Sequence, residues 1–154
     1  MIVIIIICIV LSALFSSSET AFASVNKIRL KSMADQGDKR ALKALHIAEH
    51  YEDSLTAILV GNNIVNIGAS SLATVVFTQW VGSAGPAVST VAMTILVLIF
   101  GEVLPKSYAK SHAEKMALSV ASALSAFTVV MTPFVKIFDE GYLLHASAVL
   151  VAFH

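Results

Sequence analysis

The chain has 154 residues, 57% of them hydrophobic and only 13% charged, and a mean hydropathy of +0.84. A soluble domain carries about 25% charged residues, so this is a membrane protein with room for three or four spans and none for a soluble catalytic domain. Zero net charge excludes a nucleic-acid role built on overall charge, and a single cysteine, Cys8, excludes a disulfide framework or a thiolate metal cluster.

Ile2 to Phe15 is an apolar run broken only by Cys8 and Ser12. A signal peptide is the alternative, but no basic segment precedes the run, and its helical pattern continues through Ala21-Phe22-Ala23. A first span is therefore expected over about 2–25, with Ser16-Ser17-Ser18-Glu19 in its second half, and the native chain is expected to begin upstream. Residues 26–53 form the polar part, with six Lys or Arg and five acids. Gly37 and Asp38 mark a turn between two amphipathic patterns, which predicts a helical hairpin at the membrane surface. His46 and His50 have the i,i+4 spacing of a zinc pair, yet no third ligand accompanies them, so two interfacial histidines are the expectation.

Residues 54–101 carry no formal charge. A second span is expected over about 54–77 and a third over about 87–104, joined by an uncharged turn, Gln79–Pro86, that holds Trp80. Basic residues follow the first span (Lys27 to Lys43) and the third (Lys106, Lys110, Lys115). The positive-inside rule then puts the N-terminus and the 79–86 turn outside and the two basic segments in the cytoplasm. Residues 116–135 are again uncharged, but they are rich in Ser and Thr, are stopped near their end by Pro133 and are followed by Lys136, Asp139 and Glu140. A juxtamembrane helix over about 113–138 is expected rather than a fourth span, with a short segment, 139–154, that ends as though cut from a larger protein.

Two stretches carry chemistry. Gly61-Asn62-Asn63-Ile64-Val65-Asn66 puts three asparagines inside a span, where amides facing lipid would be costly. Asn62, Asn66 and Ser70 share a helical face; they suit either an ion or interhelical hydrogen bonds. Phe100-Gly101-Glu102-Val103-Leu104-Pro105-Lys106 ends the uncharged run with a carboxylate. Pro105 has no N–H to give the carbonyl one turn back, at Gly101, so Glu102 stands beside loosened backbone, as in many cation sites of transport proteins. The plainer reading is a helix end with Glu102 and Lys106 as an i,i+4 pair. Hydroxyl, amide, carboxylate and carbonyl oxygens are hard donors that favour magnesium, calcium or manganese over zinc or copper.

Together, Phe15-Ser16-Ser17-Ser18-Glu19-Thr20-Ala21, the asparagine stretch and Phe100 to Ala109 resemble the transmembrane domain of the CorC/CorB and cyclin-M (CNNM) family, in order and in separation. The resemblance covers about residues 2 to 140. It implies an all-α integral membrane domain, dimeric, with three spans per protomer, short cytoplasm-side helices and a juxtamembrane belt helix. It also implies magnesium transport, usually export coupled to sodium, in a bacterial inner membrane. The family's ion site falls on Ser16, Asn62, Asn66 and Glu102, with Ser17, Glu19 and Gly101 as further positions; the serine triplet leaves the ligating hydroxyl open. The cystathionine-β-synthase-type nucleotide-binding domains expected in such a protein lie outside this sequence. The competing reading is a membrane anchor and dimerisation module that moves no ion. An intramembrane serine hydrolase is disfavoured, because no histidine or lysine lies at comparable depth to act as base.

Overall fold

The computed structural model describes residues 1–152, with side chains described as far as Pro133. Seven α-helices follow one another: α1 (Ile2–Ser24), α2 (Lys27–Asp35), α3 (Lys39–Glu49), α4 (Tyr51–Val81), α5 (Gly85–Leu96), α6 (Leu104–Ser111) and α7 (Ala113–Ala152). A single 3₁₀ turn, Gly82–Ala84, joins α4 to α5, and a π-helical segment, Val97–Val103, joins α5 to α6. Three stretches are long and apolar enough to cross a membrane: Ile2–Ser24, Tyr51–Ser111 and Ala113–Pro133. The second of these is folded back on itself, since α4 and α5 pack against each other. The chain is an all-α integral membrane domain.

Its packing follows from the solvent. Lipid tails are as apolar as isoleucine, so large side chains gain nothing by turning inward, and small residues let helices approach. In α1, accordingly, Ile4, Ile7 and Val10 stay exposed, while Ser12, Ser16, Ser17 and Ala21 are buried. Toward the polar end a larger core forms, where Phe22, Leu30, Ile47, Ile58, Ala121 and Leu124 meet. There α3 packs on α7, and α7 also lies along α1 and α4. The helices of the polar hairpin start at Asn26 and Asp38, whose side chains each accept hydrogen bonds from two backbone N–H groups of the first turn.

Element ends differ from the sequence reading. α4 begins at Tyr51 because Glu52 and Asp53 suit the positive end of a helix, and it ends at Gly82, whose φ of +66° favours glycine. The third apolar segment is not one regular helix over 87–104: it changes to π geometry at Val97 and resumes as α6. α7 is continuous past Pro133, and the 139–154 segment lies outside the residues whose side chains are described.

The α4–α5 hairpin closes tightly at Gly85. A Cβ there would run into the Thr78 Cα and lie 2.5 Å from the Thr78 nitrogen, backbone that cannot swing aside. Gly85→Ala is expected to lower stability by about 1–3 kcal/mol, the usual penalty of overpacking. An unchanged melting temperature in detergent would refute that packing.

Candidate ion site

Three helical segments meet at the site: α1, α4 and the π segment. Ser12 is fully buried on α1, and its hydroxyl donates to Asn62 Oδ1 on α4 at 2.9 Å. One turn on, Asn66 Nδ2 reaches the same oxygen at 3.4 Å. Gly101 of the π segment is pressed against this cluster: a Cβ on it would lie 2.8 Å from Ser12 Oγ. Only glycine lets the backbone next to Glu102 come so close to α1.

Two oxygens are left over. Asn66 Oδ1 and Ser16 Oγ are buried without a hydrogen-bond partner. An orphaned buried polar atom forfeits about 1–3 kcal/mol. The serine triplet is thereby divided: Ser17 donates to Ala13 O at 2.6 Å and Ser18 to Leu14 O at 2.6 Å, whereas Ser16 bonds to nothing among the described residues. Ser16 lies one turn from Ser12 on the same face, at a level bracketed by the Gly101–Ser12 contact and the Lys106–Glu19 ion pair.

Glu102 is half-buried and lines one groove, of about 330 Å³, together with Asn66, Ser70, Thr74 and Thr94. Among the described residues it takes part in no ion pair. The i,i+4 pairing with Lys106 is not what the structure contains, because Lys106 Nζ turns to Glu19 at 3.3 Å. Glu19 thus holds α1 to α6, and its backbone carbonyl also accepts from Tyr51 Oη at 3.0 Å. Of the sequence-derived positions, the structure brings Asn62, Asn66 and Gly101 together around Ser12, puts Glu102 in one groove with Asn66, leaves Ser16 on α1 outside that groove's lining, and engages Ser17 and Glu19 elsewhere.

The π segment has its own consequence. At its end the Leu104 N–H bonds to Ile99 O, five residues back. The carbonyl that Pro105 leaves without a donor is that of Phe100 in this register and of Gly101 in the α register, two residues and one residue before Glu102. Ser12 is the residue that sequence reasoning passes over, since one serine in an isoleucine run reads as filler. The rings of His46 and His50 lie 4.6 Å apart, tilted by 46°, and among the described residues no group of three or more His, Cys, Asp or Glu is placed to hold a metal.

Residues 3–146 match the cyclin M transmembrane N-terminal domain. The chain belongs to this family. Among its relatives, a UPF0053 protein of Haemophilus influenzae is 43% identical over 133 residues, covering 86% of this chain and 32% of that protein. The Escherichia coli UPF0053 inner membrane protein YfjD is 40% identical over 125 residues, 81% of this chain and 29% of its own. A Haemophilus influenzae protein named polyamine export protein is 30% identical over 141 residues, 83% of this chain and 33% of its own. The cyclin M domain described here therefore spans about a third of the length of these curated relatives.

Proposed function

We propose that this cyclin M domain carries magnesium across the membrane through a site formed by Ser16, Asn62, Asn66 and Glu102. The observation that supports it is the unpartnered buried Asn66 Oδ1 in one groove with the Glu102 carboxylate, which among the described residues is in no ion pair, beside backbone in π geometry; Ser16 Oγ on α1 is a second unpartnered buried oxygen. A hydrated hard cation supplies the missing partners. One carboxylate leaves a divalent ion only half neutralised, which suits a site that must also release it. Export coupled to sodium, by a homodimer in a bacterial inner membrane, completes the proposal, with α7 as the belt on the cytoplasmic side and nucleotide-binding domains elsewhere in the full-length protein. Magnesium flux into proteoliposomes is the test; a folded protein that moves none would leave the anchor reading standing.

A second reading has its own observation, the relative named polyamine export protein. A polyammonium ion also seeks acceptor oxygens and a carboxylate. Spermidine that competes with magnesium flux, and is itself transported, would favour it; magnesium flux indifferent to spermidine would exclude it.

The orientation proposed, N-terminus and 79–86 turn outside, rests on the uncharged turn between two basic segments. Cysteines replacing Ser83 and Ser107 in a Cys8→Ala background are expected to label from opposite sides of intact cells. Labelling of both from one side would overturn it.

A further inference from the structure

The groove that contains Asn66 and Glu102 continues well beyond them, toward the Gly82–Ala84 turn. Its wall includes Ser70 and Thr74 of α4 and Ser89, Thr90 and Thr94 of α5. Two four-residue repeats make it: Asn66, Ser70 and Thr74 on one helix, and Thr90, Thr94 and Glu102 on the returning segment, with Leu98 at the position between the last two. Every hydroxyl residue of α5 lines this groove, although nine other positions of that helix were open to them.

The protons of these hydroxyls are largely committed. Thr90 donates to Pro86 O at 2.8 Å, Thr94 to Thr90 O at 2.7 Å and Thr74 to Ser70 O at 2.9 Å. Thr74 Oγ1 also lies 3.2 Å from Ser89 Oγ, across the two helices. A hydroxyl has one proton, so each of these threonines presents only acceptor lone pairs to the groove. Serine and threonine that bond back to their own helix are tolerated anywhere in an apolar segment, lipid-facing positions included. Scattered positions would fit that reading; a lining gathered into one groove, which ends on the orphaned Asn66 Oδ1 and on Glu102, does not.

We propose that the hydroxyl-lined groove between α4 and α5 is a wet passage for a hydrated cation, joining the Asn66–Glu102 centre to the side of the membrane faced by the 79–86 turn. It rests on the transport reading above. Acceptors without a carboxylate hold a cation loosely and let it move on. Leu98, the apolar member of the stripe, stands between Thr94 and Glu102 in sequence and is where the passage is expected to be narrowest.

Two measurements test it. In a Cys8→Ala background, Thr94→Cys is compared with Ile95→Cys, whose native side chain is 52% exposed on the apolar surface. A charged methanethiosulfonate reagent, added on the turn side of sealed vesicles, needs a hydrated thiolate. Thr94→Cys is expected to react at least about tenfold faster than the Ile95→Cys control, the ratio that 1.36 kcal/mol of barrier represents. Equal rates, or no reaction at 94, would overturn the passage. Secondly, Thr74→Val, Thr90→Val and Thr94→Val combined keep side-chain shape and remove three oxygens. Magnesium is expected still to stabilise this variant as it does the wild type, while flux falls at least about tenfold. Unchanged flux would overturn the passage, and so would loss of magnesium-dependent stabilisation, since the hydroxyls would then belong to the binding centre itself. A wild type that neither binds nor moves magnesium would defeat the transport reading instead, whereas a working wild type with an unreactive Thr94→Cys defeats only the passage.

Discussion

Glu102→Gln is expected to leave the folded domain intact, to weaken magnesium binding by at least about a hundredfold (some 2.7 kcal/mol) and to abolish flux. The substitution keeps shape and removes the only carboxylate that lines the Asn66 groove. Its effect is electrostatic rather than steric, because among the described residues Glu102 is in no ion pair whose other member would be stranded. Lys106 keeps Glu19, so the α1–α6 connection survives. Titration calorimetry is the measurement, with circular dichroism as the control for folding. Wild-type affinity in the variant would remove Glu102 from the site.

The spans are readable in the sequence because uncharged runs of this length have few alternatives to crossing a bilayer. The polar hairpin is readable for a local reason: Asn26, Gly37 and Asp38 are cap and turn residues whose chemistry does not depend on distant contacts. The change of α5 into a π segment is different in kind. Gly101 and Pro105 announce that the backbone is loosened, but the register it adopts depends on how closely α1 approaches, which is set by Ser12.

The same division runs through the site. Asn62, Asn66 and Glu102 stand out because polar groups in apolar segments are rare and need partners. Ser12 does not, since its partner is 50 residues away and its neighbours in sequence are apolar. Nor does the sequence separate Ser16 from Ser17 and Ser18; only helix packing shows which hydroxyl has no carbonyl to bond. Glu19 reads as one more acid near the site until Lys106, far along the chain, folds back to it. The threonines of α5 are ordinary apolar-helix residues until α4 brings Ser70 and Thr74 opposite them.

The three asparagines of α4 separate structural from ligating roles, because their oxygens differ in what they already hold. Asn62 Oδ1 accepts from Ser12 and is approached by Asn66; Asn66 Oδ1 accepts from nothing among the described residues; Asn63 is exposed, about 100° around the helix. Asn62→Ala strands the buried Ser12 hydroxyl and is expected to lower the stability of the magnesium-free protein by about 1–3 kcal/mol. Asn66→Ala deletes an unsatisfied oxygen and one long hydrogen bond, so magnesium-free stability is expected to change little. Its effect should appear only with the ion. A cation that binds the folded site alone stabilises it by about 2.7 kcal/mol at a hundred times its dissociation constant. That increment is expected in the wild type and in Asn63→Ala, and to be lost in Asn66→Ala. Thermal melts of the four proteins in detergent, with and without excess magnesium, measure both terms at once. A magnesium shift in Asn66→Ala equal to that of the wild type would exclude this side chain as a ligand and return it to the role of interhelical hydrogen bonding.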